Sequence, residues 1–160
     1  MKPALLTRDL AIVALMVVLV RFAWHEDAGV LLSLVAAAFV GLSGHLLHEW
    51  GHLAASLATG SKVAYPTRIS APLVFDFDVE ANNRRQFLAM SLGGYLGSIL
   101  GVVLIATCLP LELLVGKVSL ALGLLGLVVS AVLEGPTTWR VLRGGDPPPA
   151  LLTVSDGDRQ

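Results

Sequence analysis

Phe87 to Leu109 contains no charged residue, and that stretch limits the possible folds more than any other feature of the chain. A hydrocarbon core of about 30 Å is crossed by roughly 20 mostly apolar helical residues. Val118 to Leu133 is equally free of charge, and the segment reaches Trp139 once Glu134 is included. Ala28 to Gly44 is a third such run, continuing through a group of histidines to Thr59. Leu10 to Trp24 is the shortest, with Arg21 near its end. The expectation is an all-α polytopic membrane protein with four transmembrane helices, at about 10–24, 28–59, 87–109 and 118–139.

Composition agrees with that class. Hydrophobic residues make up 55% and charged residues 14%, against roughly a quarter charged in soluble chains. The net charge of −1, without a basic patch, speaks against a nucleic-acid partner. Cys108 is the single cysteine, so no disulfide framework exists, and its apolar surroundings suggest a small packing residue. Lys2 and Arg8 before the first run also resemble a signal peptide, but "VRFAWHEDAG" offers no small-x-small cleavage site. A retained helix is the expectation.

Lys and Arg concentrate on cytoplasmic flanks. With the N-terminus inside, Lys2, Arg8, Lys62, Arg68, Arg84, Arg85, Arg140, Arg143 and Arg159 fall inside, and Arg21 and Lys117 outside. Both termini are therefore expected in the cytoplasm, in a multi-pass protein of a bacterial inner (plasma) membrane. Residues 1–143 form a single membrane domain, and 144–160, with "GGDPPP" and "SDGDRQ", read as a flexible cytoplasmic tail. The one sizeable loop, Gly60 to Gln86, contains "LVFDFDVE". There Phe75, Phe77 and Val79 alternate with Asp76, Asp78 and Glu80, a strand pattern. The acidic face is expected to be solvated, a cation site being the rarer alternative. The strand offers an edge with which an extended peptide can pair.

"HEWGH", His48 to His52, is the motif that carries chemistry. On a helix the two histidines differ by about 40° in direction and about 6 Å in rise, so both imidazoles can reach one ion. Glu49 lies beside them, where it can take a proton from an attacking water as general base. Ionisable groups are costly in hydrocarbon and mark function there; histidines capping a helix as it leaves the bilayer are the rarer alternative. His45 lies about 10 Å along the axis from His52 and cannot readily share an ion with both other histidines. A catalytic zinc needs a third protein ligand. Glu134 in "VLEGPTTW" is the candidate, being the only other carboxylate within an apolar run. Its depth, about 24 Å from Val118, matches about 30 Å from Ala28 to His48 within the uncertainty of helix starts. The alternative for Glu134 is an interfacial group ending the fourth helix. Gly93, Gly97 and Gly101 in "SLGGYLGSILG" repeat at four-residue spacing, which lets helix backbones approach closely.

Together these segments resemble the site-2 protease family of intramembrane zinc metallopeptidases. The likeness covers Leu31 to Arg143 and rests on "HEWGHLAASLATGSKV", "SLGGYLGSILG" and "LEG". It implies His48, His52 and Glu134 as zinc ligands, Glu49 as the base, and transmembrane or membrane-anchored proteins as substrates within the lipid bilayer. Glutamate stands at position 134 where the family usually has aspartate, and the Asn and Pro that often precede that motif are missing from "LGLVVSAVLEG". A catalytically inactive adaptor of the same fold is therefore the alternative function. Metal transport ranks below both, because the first and third helices offer few polar residues. Oligomeric state is not legible in the sequence.

Overall fold

The computed structural model describes residues 3–25, 27–71 and 73–148; Glu26, Pro72 and residues 149–160 of the expected tail lie outside them. Four helices account for most of the chain: α1 (Pro3–Ala23), α2 (Val30–Ala58), α3 (Arg84–Cys108) and α4 (Leu114–Leu142). Each is long and apolar enough to cross a membrane. The protein is thus a multi-pass integral membrane protein. Its large apolar side chains point outward, among them Leu31, Leu96, Val132 and Leu133, each at least 66% exposed. Small residues such as Ala36, Ala37, Ser56 and Ser119 are buried instead. That inversion is expected where lipid covers the outside and backbone proximity holds the inside. Cys108 belongs to the outside: it is exposed rather than packed.

The helices extend past the apolar runs. α1 begins at Pro3, which brings Arg8 and Asp9 inside it. Proline suits a first helical turn because the N–H it lacks has no partner there. α4 runs on through Pro136, and Thr138 Oγ1 donates to the Glu134 carbonyl at 3.1 Å.

α2 is the central helix and packs against all three others, most extensively against α3. A Cβ on Gly51 would run into the Gly93 carbonyl, and one on Gly97 into the Leu47 carbonyl, so the two backbones touch at these glycines. One buried cluster, with Val20, Ala36, Ile105 and Val115, closes one end of the bundle. At the other end Leu53 packs with Val74 and Phe75 of the long loop.

That loop folds back onto the bundle. Strands β1 (Val63–Ala64) and β2 (Asp76–Phe77) pair antiparallel, Val63 opposite Phe77 and Ala64 opposite Asp76. The regular pairing is shorter than the alternating stretch suggests, because Asp78 and Asn82 turn the chain into α3. The Asn82 side chain bonds both Lys62 backbone groups at 2.7 Å, and Asp78 Oδ1 accepts from the Ala81 N–H. Asn83 and Gln86 then form a capping box at the start of α3. Arg84 donates to the Val141 and Leu142 carbonyls, both at 2.8 Å, and Gln86 to the Thr59 carbonyl. The C-terminal ends of α2 and α4 are thereby tied to the N-terminal end of α3.

Candidate metal centre

The i, i+4 spacing on α2 brings His48 and His52 together with their ring centroids 4.4 Å apart. Their Nε2 atoms lie 2.9 Å from each other. Glu134, from α4, completes the group: one carboxylate oxygen is 3.0 Å from His48 Nε2 and the other 3.5 Å from His52 Nε2. The three donor atoms lie within 4.8 Å of one another, an arrangement that can hold a metal ion. Both histidines are buried, at 5% and 8% exposure.

α3 orients the rings. His48 Nδ1 lies 2.9 Å from the Gly94 carbonyl and 2.9 Å from Ser98 Oγ, and His52 Nδ1 lies 2.8 Å from the Met90 carbonyl. A carbonyl only accepts, so both Nδ1 atoms carry hydrogen. In neutral imidazoles both Nε2 atoms are then bare lone pairs, and they face each other at contact distance. Two lone pairs beside a carboxylate repel unless a cation lies among them. Histidines that ligate metals through Nε2 characteristically donate Nδ1–H to a carbonyl or carboxylate in this way. The ring of His52 also needs the glycine at position 94, where any Cβ would collide with it.

No family model, no curated protein and no solved structure matches this chain. The chemistry therefore rests on the geometry of the site.

Glu49 is 7% exposed and lines a cleft of about 240 Å³ together with His52 and Glu134. The opposite wall comes from the loop, through Phe75, Phe77 and Val79. The apolar face of the alternating stretch thus lines the cleft with His52 and Glu134, while Glu80 on the other face is exposed. Asp76 departs from strict alternation and also reaches the cleft. His45 stays outside the three-residue group, its ring stacked on that of His48 at 6.4 Å between centroids. It lines a second cavity of about 170 Å³ with His48, Ser98 and Ser130.

Sequence reasoning brought His48, Glu49, His52 and Glu134 forward; the structure groups His48 with His52 and Glu134, and sets Glu49 in the cleft that His52 and Glu134 also line. It missed Gly94, Ser98 and the Met90 carbonyl. The adjacent glycine pair "GG" inside an apolar helix was the available signal, since the second glycine has no part in the four-residue stripe.

Sequence reasoning also missed Asp9, which is 4% exposed on α1. Trp50 Nε1, from within the histidine motif, donates to Asp9 Oδ2 at 3.1 Å, and Arg8 pairs with Oδ1 at 2.8 Å. Arg8 also donates to the carbonyls of Ile69 and Ala71. This network fastens α1 and the long loop to the residue next to Glu49.

Proposed function

We propose that the chain is an intramembrane zinc metalloendopeptidase resembling site-2 proteases, which hydrolyses peptide bonds in or near transmembrane segments. The observation that carries the reading is the convergence of the two Nε2 atoms with the Glu134 carboxylate. Two imidazoles and one carboxylate are a known catalytic zinc set, which leaves a position for water. His48, His52 and Glu134 would hold the ion. Zinc bound there supplies Lewis-acid chemistry, lowering the pKa of a coordinated water toward neutrality and polarising the scissile carbonyl.

The remaining work belongs to the chain. Glu49, in the same cleft, takes a proton from the attacking water and returns it to the leaving amine. The apolar wall of Phe75, Phe77 and Val79 receives substrate side chains. Among the described residues β2 belongs to a two-stranded sheet with β1, whose other edge is offered to an unwound substrate backbone. The extra methylene of Glu134, relative to the family's aspartate, is consistent with a carboxylate that reaches both imidazoles from α4. The excess of Lys and Arg supports cytoplasmic termini, with the cleft opening toward that side.

The test uses purified wild type, Glu49→Gln and Glu134→Ala, with bound zinc and cleavage of a membrane-peptide library as readouts. The peptidase reading expects zinc and cleavage in wild type, zinc without cleavage in Glu49→Gln, and loss of both in Glu134→Ala. Wild type that holds zinc and cleaves nothing would support the adaptor alternative.

A further inference from the structure

The end of α4 leads back into the catalytic cleft. Gly145 N–H donates to the Arg140 carbonyl and Gly144 N–H to the Val141 carbonyl, each at 3.0 Å. Those two bonds, with Gly144 at φ +105°, form a Schellman turn that stops the helix and reverses the chain. A Cβ on Gly145 would crowd the Arg140 carbonyl, so the second glycine is needed too. After Asp146 the chain reaches Pro148, which is buried. Proline is mostly a surface residue, yet this one lines the cleft that also contains Glu49, His52 and Glu134.

We propose that Gly144–Pro148 is an intramolecular strap that occupies the mouth of the cleft and must withdraw before a peptide enters. The occupant is this chain's own segment, because the turn aims it there and Pro148 is already seated. Its chemistry suits a blocker. Successive prolines hold an extended backbone at little further entropic cost, but they have no N–H to pair with a strand edge. Pro148 therefore fills space in the cleft that β2 also lines, without adopting the paired register that a substrate needs. Leu73, Phe75, Phe77 and Val79, which line the same cleft as Pro148, form the apolar surface a substrate would use. The inhibitory consequence rests on the peptidase reading; the placement of the strap does not.

The experiment keeps the full chain and reads access to the cleft directly. Thr137, in the cleft lining, is changed to cysteine in a Cys108→Ser background, and its labelling by a maleimide in detergent is timed. Pro148→Asp, which sets a second carboxylate beside Glu134, is added in one chain. Gly144→Val, which strains the positive-φ turn, is added in another. Zinc content and cleavage are measured alongside. The strap predicts labelling faster by roughly tenfold in both variants, with unchanged zinc, because the open population rises by that factor. Cleavage should rise with it. Labelling at the parental rate in both variants, with zinc retained, overturns the strap. If one variant loses zinc through misfolding, the other decides. Faster labelling with no cleavage in any chain leaves the strap standing and removes the peptidase reading.

Discussion

The Nε2 atoms of His48 and His52 lie 2.9 Å apart, and in neutral imidazoles whose Nδ1 atoms donate to carbonyls neither has a hydrogen there to give the other. Both rings spend their Nδ1 hydrogens on carbonyls of α3, at Gly94 and Met90. Backbone atoms of α3 thus orient a group of side chains on α2 and α4 that can hold a cation.

Gly94 should be the most sensitive position in α3. Alanine there places a methyl group against the His52 ring, whose Nδ1 is already held by the Met90 carbonyl. The expected outcome for Gly94→Ala is loss of bound zinc from a chain that still inserts and keeps its helix content. Metal analysis and circular dichroism in detergent check it; full zinc occupancy contradicts it.

Ser98 makes a smaller contribution. Its hydroxyl shares His48 Nδ1 with the Gly94 carbonyl, so Ser98→Ala leaves one partner in place. Removing such an outer partner costs metal sites about 10- to 100-fold in affinity. The lower end of that range is expected, measured by competition with a chelator. Loss of cleavage should follow zinc occupancy rather than exceed it.

The histidine motif was legible because i, i+4 spacing on a helix is fixed geometry, and the four spans because apolar length is a direct requirement of the bilayer. Glu134 was legible by elimination, as the only other carboxylate within an apolar run. Gly94, Ser98 and the Met90 carbonyl were not, because their roles arise only when α3 is laid across α2. Asp9 escaped for a different reason. It falls one residue before the apolar run that marked the first span, and its partners Trp50, Ile69 and Ala71 come from distant segments. The strand was overestimated because alternation reports which face is apolar, not how many residues pair.

Asp9 carries its own prediction. Asp9→Leu leaves the Trp50 indole N–H and the Arg8 guanidinium without their buried acceptor. A lost buried partner of this kind costs about 1–3 kcal/mol. Thermal unfolding in detergent should fall accordingly, and proteolysis between Tyr65 and Ala71 should quicken as the loop detaches. Zinc should be retained, since no member of this network touches the imidazoles. Unchanged protease resistance of the loop would contradict the anchoring role.

Phe77 separates substrate binding from metal binding. Proline at this position removes the backbone N–H of β2 next to the cleft. Phe77→Pro should depress cleavage much more than zinc content. Equal loss of both would mean that the strand serves folding rather than substrate pairing.

The most direct test of the central claim is Glu49→Gln, measured for zinc and for cleavage in the same preparation. The substitution keeps the size of the side chain and removes the base, while His48, His52 and Glu134 are untouched. About one zinc per chain is expected, as in wild type, with cleavage reduced by about 10²- to 10⁴-fold. Cleavage at the wild-type rate with zinc in place would contradict it.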